Sequence, residues 1–104
     1  MVVTVFRSRV KPGLQQDYIE WVGRMSALAR TMPGYISHKG FLAEDGERVT
    51  IVEFESEEAQ RAWARHPEHV EAQKKGRQDF YLEYRIQVCQ VQRENAFPKR
   101  WART

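Results

Sequence analysis

The sequence predicts an α+β domain in which helices cover one face of a four-stranded antiparallel sheet. The chain has 104 residues, enough for one hydrophobic core, and its 41% hydrophobic and 30% charged residues are typical of a globular protein. Runs rich in β-branched and aromatic residues alternate with runs whose apolar residues recur every three or four positions. Pro-Gly and Asp-Gly pairs separate several of these runs and indicate turns.

The first third of the chain predicts a strand followed by a long helix. Residues 2–10 are rich in β-branched types, and Lys11-Pro12-Gly13 then ends the pattern with turn residues. From Leu14 the apolar positions follow helical spacing for about 18 residues, until Pro33-Gly34 ends the helix. The inner side of this helix consists of Tyr18, Trp21, Val22, Met25, Leu28, Ala29 and Met32.

A hairpin is predicted in the middle of the chain. Residues 35–42 form the second strand, in which Gly40 indicates a bulge or a close backbone contact. Asp45-Gly46 is a pair that favours tight turns between antiparallel strands, and the third strand then covers residues 48–55.

Two short helices and a final strand are predicted in the last part of the chain. Ser56 offers a hydroxyl group that can cap the first of these helices. Pro67 ends this helix and starts another at residues 68–75, with Gly76 as the expected C-cap. Alternating side chains at residues 83–93 then predict a long strand.

This order of elements is the split βαβ arrangement of ferredoxin-like domains, with the helices on one face of the sheet. We expect one domain over residues 1–97 and a C-terminal tail at residues 98–104. The first strand is apolar on both faces, with Val3 and Val5 on one and Val2 on the other. Because one helical layer covers only one face, we expect two chains to pack sheet to sheet as a homodimer.

Composition and charge exclude several classes of protein. The net charge of +3 and the pI near 9.2 reflect a small basic excess, and no nucleic-acid partner is expected. No apolar run reaches the roughly 20 residues that a membrane span needs. The N-terminal segment lacks a secretion signal, which favours a cytoplasmic location. The single cysteine, Cys89, is expected to be a small buried hydrophobe in the last strand.

Several short motifs are similar to those of a known family. The Met32-Pro33-Gly34-Tyr35 junction, Trp63, the run His66-Pro67-Glu68-His69, and Phe80-Tyr81 resemble the antibiotic biosynthesis monooxygenase domain of the dimeric α/β-barrel superfamily. The resemblance covers roughly residues 1–97. It implies a homodimer whose two sheets form a barrel, and a ligand cavity in each protomer between sheet and helices.

The resemblance also implies a reaction: cofactor-independent monooxygenation of a small phenolic or quinol-like aromatic molecule. Trp63 matches the tryptophan that lines the cavity in characterised members, and His69 stands where some phenol oxygenases have a tyrosine. A neutral imidazole can take a phenolic proton near neutral pH, so His69 is the expected catalytic base. The expected substrate-binding residues are Trp63, Tyr81, His38, His66 and Phe80.

Other roles for these residues stay open. Trp63 can be a core residue, and His66 can stabilise the negative end of the helix that precedes it. A non-catalytic ligand-binding or stress-response dimer of the same fold is the main alternative function. A haem-degrading protein ranks lower, because that branch needs an asparagine in the first strand and a histidine where this chain has Gln73. No metal is expected, since zinc normally needs three or four protein ligands.

The two helical tryptophans are expected to differ in their contribution to stability. Trp21 lies in the middle of the inner side of the long helix, whereas Trp63 is expected to border a cavity. Truncation of Trp21 should therefore cost more stability than truncation of Trp63.

Overall fold

The computed structural model of the protein describes residues 1–101, so the last three residues of the expected tail lie outside the described part. A π-helical turn, Gly76–Phe80, precedes the last strand, and a 3₁₀ turn covers Lys99–Trp101. The strands are β1 (Val2–Val10), β2 (Tyr35–Leu42), β3 (Arg48–Phe54) and β4 (Tyr81–Gln90), and the helices are α1 (Gln15–Ala29), α2 (Glu57–Ala64) and α3 (Pro67–Lys75).

The four strands form one antiparallel sheet in the order β2-β3-β1-β4. The two central strands are β3 and β1, and β4 is an edge strand that pairs with β1 along nearly its whole length. This topology confirms the predicted ferredoxin-like α+β fold. The dimer stays a prediction.

The hydrophobic core lies where α1 and α2 pack on β3. Phe54 is completely buried, and it clusters with Ala29 of α1 and Trp63 of α2. Side chains alternate along a strand, so Val52 and Phe54 lie on the same face of the sheet as Val2, which pairs with Phe54. We call this the helix face and the opposite side the open face.

Two local predictions are confirmed in detail. The Ser56 hydroxyl accepts a hydrogen bond from the Ala59 backbone N–H and caps α2. In the hairpin, Gly46 adopts a φ of 91°, a conformation that favours glycine, and the Ala43 N–H donates to the Glu47 carbonyl over 2.8 Å. The Asp-Gly pair therefore fixes how β2 pairs with β3.

The long helix is shorter than predicted, with 15 residues that end at Ala29. The chain continues in tighter turns, in which Thr31 and Met32 donate to the carbonyls of Leu28 and Ala29 over 3.0 Å. Pro33 disfavours the helical conformation for the residue before it, and Gly34 then reverses the chain with a φ of 82°.

Gly76 is the C-cap residue of α3, as predicted, whereas the bulge or close contact predicted at Gly40 is wrong. Gly76 keeps right-handed angles and leads into the π-helical turn, but a Cβ atom there would lie 2.6 Å from Cε2 of Tyr81. The lack of space for a side chain therefore requires glycine at this position. The irregularities of the sheet lie elsewhere, and a Cβ atom on Gly40 would meet Thr50 at an ordinary 3.9 Å.

The final strand also differs from the prediction, because β4 begins at Tyr81 and ends at Gln90. Cys89 is exposed, so its prediction as a buried hydrophobe is wrong. It lies opposite Val3 on the open face of an edge strand that no helix covers. On the helix face, Ile86 and Val88 are 44% and 50% exposed, because the helices do not reach this part of β4. None of the helices within residues 1–101 is long and apolar enough to cross a membrane.

The burial of the two helical tryptophans reverses the expected order. Trp63 is only 8% exposed and belongs to the core, whereas Trp21 is only partly buried and packs on Phe80 with ring centroids 5.0 Å apart. The core forms at the end of β3 where α2 begins, which the periodicity of α1 alone does not indicate.

We therefore expect Trp63→Ala to destabilise the protein more than Trp21→Ala. Truncation of a buried tryptophan costs about 3–5 kcal/mol, and a partly exposed one loses less packing. Urea denaturation of both variants measures the difference, with the exposed Trp101→Ala as a control that should change the free energy of unfolding by less than about 0.5 kcal/mol. A larger loss of unfolding free energy for Trp21→Ala would contradict the placement of Trp63 in the core.

Candidate functional site

The rings of Trp63 and His69 form a stacked pair at the junction of α2 and α3. Their centroids lie 4.0 Å apart and their planes differ by 13°. The chain turns sharply here: Arg65 ends α2, and Pro67 occupies the first turn of α3, where its missing N–H has no cost. His69 lies on the first turn of α3, so this junction brings its ring back over Trp63.

The hydrogen bond of His69 defines which nitrogen is free. Its Nδ1 lies 3.0 Å from the backbone carbonyl oxygen of Trp63, and a carbonyl can only accept. Nδ1 therefore carries the hydrogen and donates it, which leaves Nε2 of the neutral ring with a free lone pair.

Burial lowers the pKa of His69 below its ordinary value of 6.5. The bond to the Trp63 carbonyl opposes this shift, and the nearby His66 adds to it. The ring is therefore neutral at physiological pH. Together, the fixed tautomer and the lowered pKa present an unprotonated Nε2, as a general base requires.

His66 lies near this pair, with its ring centroid 6.3 Å from that of Trp63. Its Nδ1 accepts a hydrogen bond of 3.2 Å from the Glu68 backbone N–H and caps the N-terminus of α3. The structure thus places the His66 ring at the start of α3, not at the negative end of α2 where it was expected to act. His66 stabilises the start of the next helix instead.

His38 lies on the helix face of β2, opposite Val52 of β3. Its Nδ1 is 2.6 Å from the hydroxyl oxygen of Tyr35, whose ring packs at the edge of the core. Burial, and secondarily the charge of Arg30, lowers the pKa of His38, so the ring is neutral and shares one hydrogen bond with the Tyr35 hydroxyl. Within residues 1–101, the only aromatic ring in contact with that of His38 is Tyr35.

The remaining expected binding residues, Phe80 and Tyr81, belong to a different group, which we call the aromatic cluster. Its members, in contact through their rings, are Phe6, Tyr18, Trp21, Phe80, Tyr81 and Tyr84. The hydroxyl groups of Tyr18 and Tyr81 lie 3.2 Å apart, and burial, reinforced by Tyr18, raises the pKa of Tyr81. Among the described residues no ring contact joins this cluster to Trp63 or His69.

Two surface cavities lie away from the Trp63–His69 pair. One, of about 270 Å³, separates α1 from β2 and β3 and includes Tyr18 and Arg48 in its lining. The other, of about 280 Å³, lies among charged residues such as Arg7, Arg9 and Arg85. Sequence reasoning missed Arg48, although the Asp-Gly hairpin predicts its position near the end of β2. Within residues 1–101 no three His, Cys, Asp or Glu side chains are grouped to hold a metal ion.

One curated relative resembles most of the chain. It is the uncharacterized protein YqjZ of Bacillus subtilis (strain 168), which is 33% identical over 93 residues. The matched region covers 89% of this chain and 82% of YqjZ.

Solved structures share the fold at low sequence identity. SnoaB, a cofactor-independent oxygenase from Streptomyces nogalater, superimposes with a TM-score of 0.78 at 18% identity, covering 93% of this chain and 96% of SnoaB. Rv0793 from Mycobacterium tuberculosis superimposes with a TM-score of 0.80 at 17% identity, covering 91% of this chain and 98% of Rv0793.

A sequence family accounts for the region that contains the candidate site. Residues 1–75 match the profile of the family described as "Antibiotic biosynthesis monooxygenase". This range covers β1 through α3, and it includes both Trp63 and His69. By this match and the relative in Bacillus subtilis, the chain belongs to the antibiotic biosynthesis monooxygenase family.

Proposed function

We propose that this protein is a cofactor-independent monooxygenase that acts on a small phenolic or quinol-like aromatic molecule. The observation that carries the proposal is the fixed His69 tautomer, whose free Nε2 can accept a proton. Membership of a monooxygenase family supports it, as does the fold shared with SnoaB, which is described as a cofactor-independent oxygenase.

The proposed reaction needs only the substrate and dioxygen. Nε2 of His69 removes the hydroxyl proton, and the electron-rich anion transfers one electron to dioxygen. The resulting radical and superoxide combine into a peroxide, in which one oxygen atom is bonded to the substrate. Loss of the proton from the ring carbon that carries the peroxide breaks the O–O bond and leaves the bonded oxygen as the carbonyl of the quinone product. The other oxygen leaves as water, which contains that proton and the one returned by His69.

The lowered pKa of His69 limits which substrates it can deprotonate. An ordinary phenol has a pKa near 10, so proton transfer to an imidazole with a pKa below 6.5 is unfavourable. Substrates with a more acidic hydroxyl, for example one conjugated to a ring carbonyl, reduce this difference. We therefore expect anthrones, whose anions are both more easily formed and electron-rich, to react faster than simple phenols.

The apolar surface for a flat ring is proposed to lie between the helices and β4. Ile86 and Val88 leave an uncovered apolar strip there, on the sheet face that also receives Trp63. Trp63 and Tyr81 would form walls of this site in the proposal. Tyr81 keeps its proton because burial raises its pKa, so it can donate a hydrogen bond but not act as a base.

One prediction tests His69 as the catalytic base. We expect His69→Ala to lower turnover by about 10²–10⁴-fold in an oxygen-uptake assay over a panel of dihydroxynaphthalenes, anthrones and quinols. Added imidazole should restore part of the rate by occupying the vacated space. Gln73→Ala, one turn further along α3, is the matched control and should keep the rate. Full activity of His69→Ala would place the base elsewhere.

The pH dependence of the reaction tests the same role of His69. The neutral form of His69 is the active form, so kcat/KM should rise with pH and reach a plateau near neutrality. Because burial lowers the pKa of His69, the midpoint should lie below 6.5. A midpoint clearly above 6.5 would show that another group controls the rate.

We also propose that the protein works as a homodimer joined through the open face. Val3, Val5 and Ile51 place apolar side chains there, and Phe41 at the edge is 49% exposed. A stable interface buries about 800 Å² on each partner, which a sheet face of this size can supply.

Sedimentation at micromolar concentration should show a dimer, and Val5→Lys should shift it towards the monomer because the buried charge is costly. Thr4→Lys, on the neighbouring position of the helix face, is the comparison and should keep the dimer. A monomeric wild-type protein under these conditions would refute the proposed assembly.

A non-catalytic binding dimer is the second candidate, and one observation favours it. Trp63 is almost fully buried, and neither of the two cavities is lined by Trp63 or His69. Native mass spectrometry distinguishes the two functions: aromatic adducts without oxygen consumption across the panel would favour binding alone.

A further inference from the structure

A cavity lies between α1 and the β2–β3 hairpin, and none of its lining residues takes part in the proposed reaction. We call it the hairpin cleft; its volume is about 270 Å³. Gly40 lies on the helix face of β2 within the lining, and its missing side chain leaves room that any other residue would fill. The other residues along its walls are Tyr18, Ile19, Val22, Phe41, Leu42, Arg48, Val49 and Thr50.

Arg48 is the one charged residue of this lining, and it has no anionic partner within residues 1–101. Its guanidinium lies over the ring of Tyr18, with Cζ 5.5 Å from the ring centroid. Among the described residues its N–H groups make no hydrogen bond or ion pair, and the side chain is only partly exposed. A planar group with five donors is therefore available at the cleft.

Two acidic residues of the hairpin turn pair with arginines other than Arg48. Glu47, next to Arg48 in sequence, lies on the open face and forms an ion pair with Arg7 over 3.0 Å. Asp45 forms an ion pair with Arg9 over 2.8 Å. Neither of these two carboxylates therefore pairs with Arg48.

The rest of the cleft is apolar and incompletely covered. Ile19 and Leu42 are 50% and 63% exposed, although they lie beside the cavity. Exposed apolar side chains around a cavity indicate a surface whose burial by an apolar ligand is favourable. The lining thus combines one fixed positive charge with an apolar rim.

We propose that the hairpin cleft is a second binding site, separate from the Trp63–His69 pair, for a small hydrophobic carboxylic acid. The carboxylate binds in a bidentate manner to the guanidinium of Arg48, and the hydrocarbon body lies against Ile19, Val22 and Leu42. A monocarboxylate matches the single charge, whereas a phosphate monoester would bring more negative charge than Arg48 neutralises. The volume, just below the roughly 300–1,000 Å³ of ordinary ligand pockets, fits one or two fused rings.

The test uses 2-naphthoate as the probe and two-dimensional ¹H–¹⁵N NMR of the wild-type protein. We expect saturable shifts at Gly40, Leu42 and Thr50, with weaker binding of the neutral 2-naphthamide. Arg48→Gln should raise the dissociation constant at least about tenfold, because it removes a charged hydrogen-bond partner.

A second variant blocks the space and keeps the charge. Gly40→Val should abolish binding while the fold is retained, since a Cβ atom there meets only Thr50 at 3.9 Å and valine favours strands. Arg24→Gln, an exposed arginine of α1 without an ion pair among the described residues, is the control and should bind like wild type.

The proposal would be overturned by no saturable shift in the wild-type protein, by shifts centred on Trp63 and His69, or by unchanged binding to Arg48→Gln. Equal affinity for 2-naphthamide would overturn it as well, because it would remove the role of the charge. The oxygen-uptake assays do not enter this test, so the two proposals can fail independently.

Discussion

The architecture depends on how α1 is fixed to the sheet at its two ends. At one end Ala29 packs on the buried Phe54, together with Trp63 of α2. At the other end the ring of Tyr18 lies under the guanidinium of Arg48. Because of these contacts the helices pack mainly on β3. The second half of β4 therefore stays uncovered, and a cleft remains between α1 and the hairpin. Both candidate binding surfaces follow from one packing arrangement.

The candidate base depends on a break in the helical region. In an uninterrupted helix, residues six apart are rotated by about 240° around the axis, so Trp63 and His69 would lie on different sides. The chain avoids this because α2 ends before Pro67 and α3 begins there with its own axis. His66, the residue between the two helices, caps α3 with a ring nitrogen. The proximity of Trp63 and His69 is therefore a product of the break.

Local patterns predicted the strands and turns because the causes are local. The bounds of β1 and β2 agree with the predicted ranges, and the Asp-Gly turn needs only its own residues. Contacts between distant segments could not be predicted in this way. The space requirement at Gly76 comes from Tyr81 and Trp21, and the exposure of Cys89 depends on which face of β4 the helices leave bare.

Cys89 has a practical consequence for work on this molecule. It is the only thiol in 104 residues, and it is exposed on a regular strand with a defined direction. The thiol lies opposite Val3 on the open face, which the proposed dimer would cover. The rate at which a maleimide reagent reacts with Cys89 would therefore report, without any engineered substitution, how much of that face is accessible to solvent.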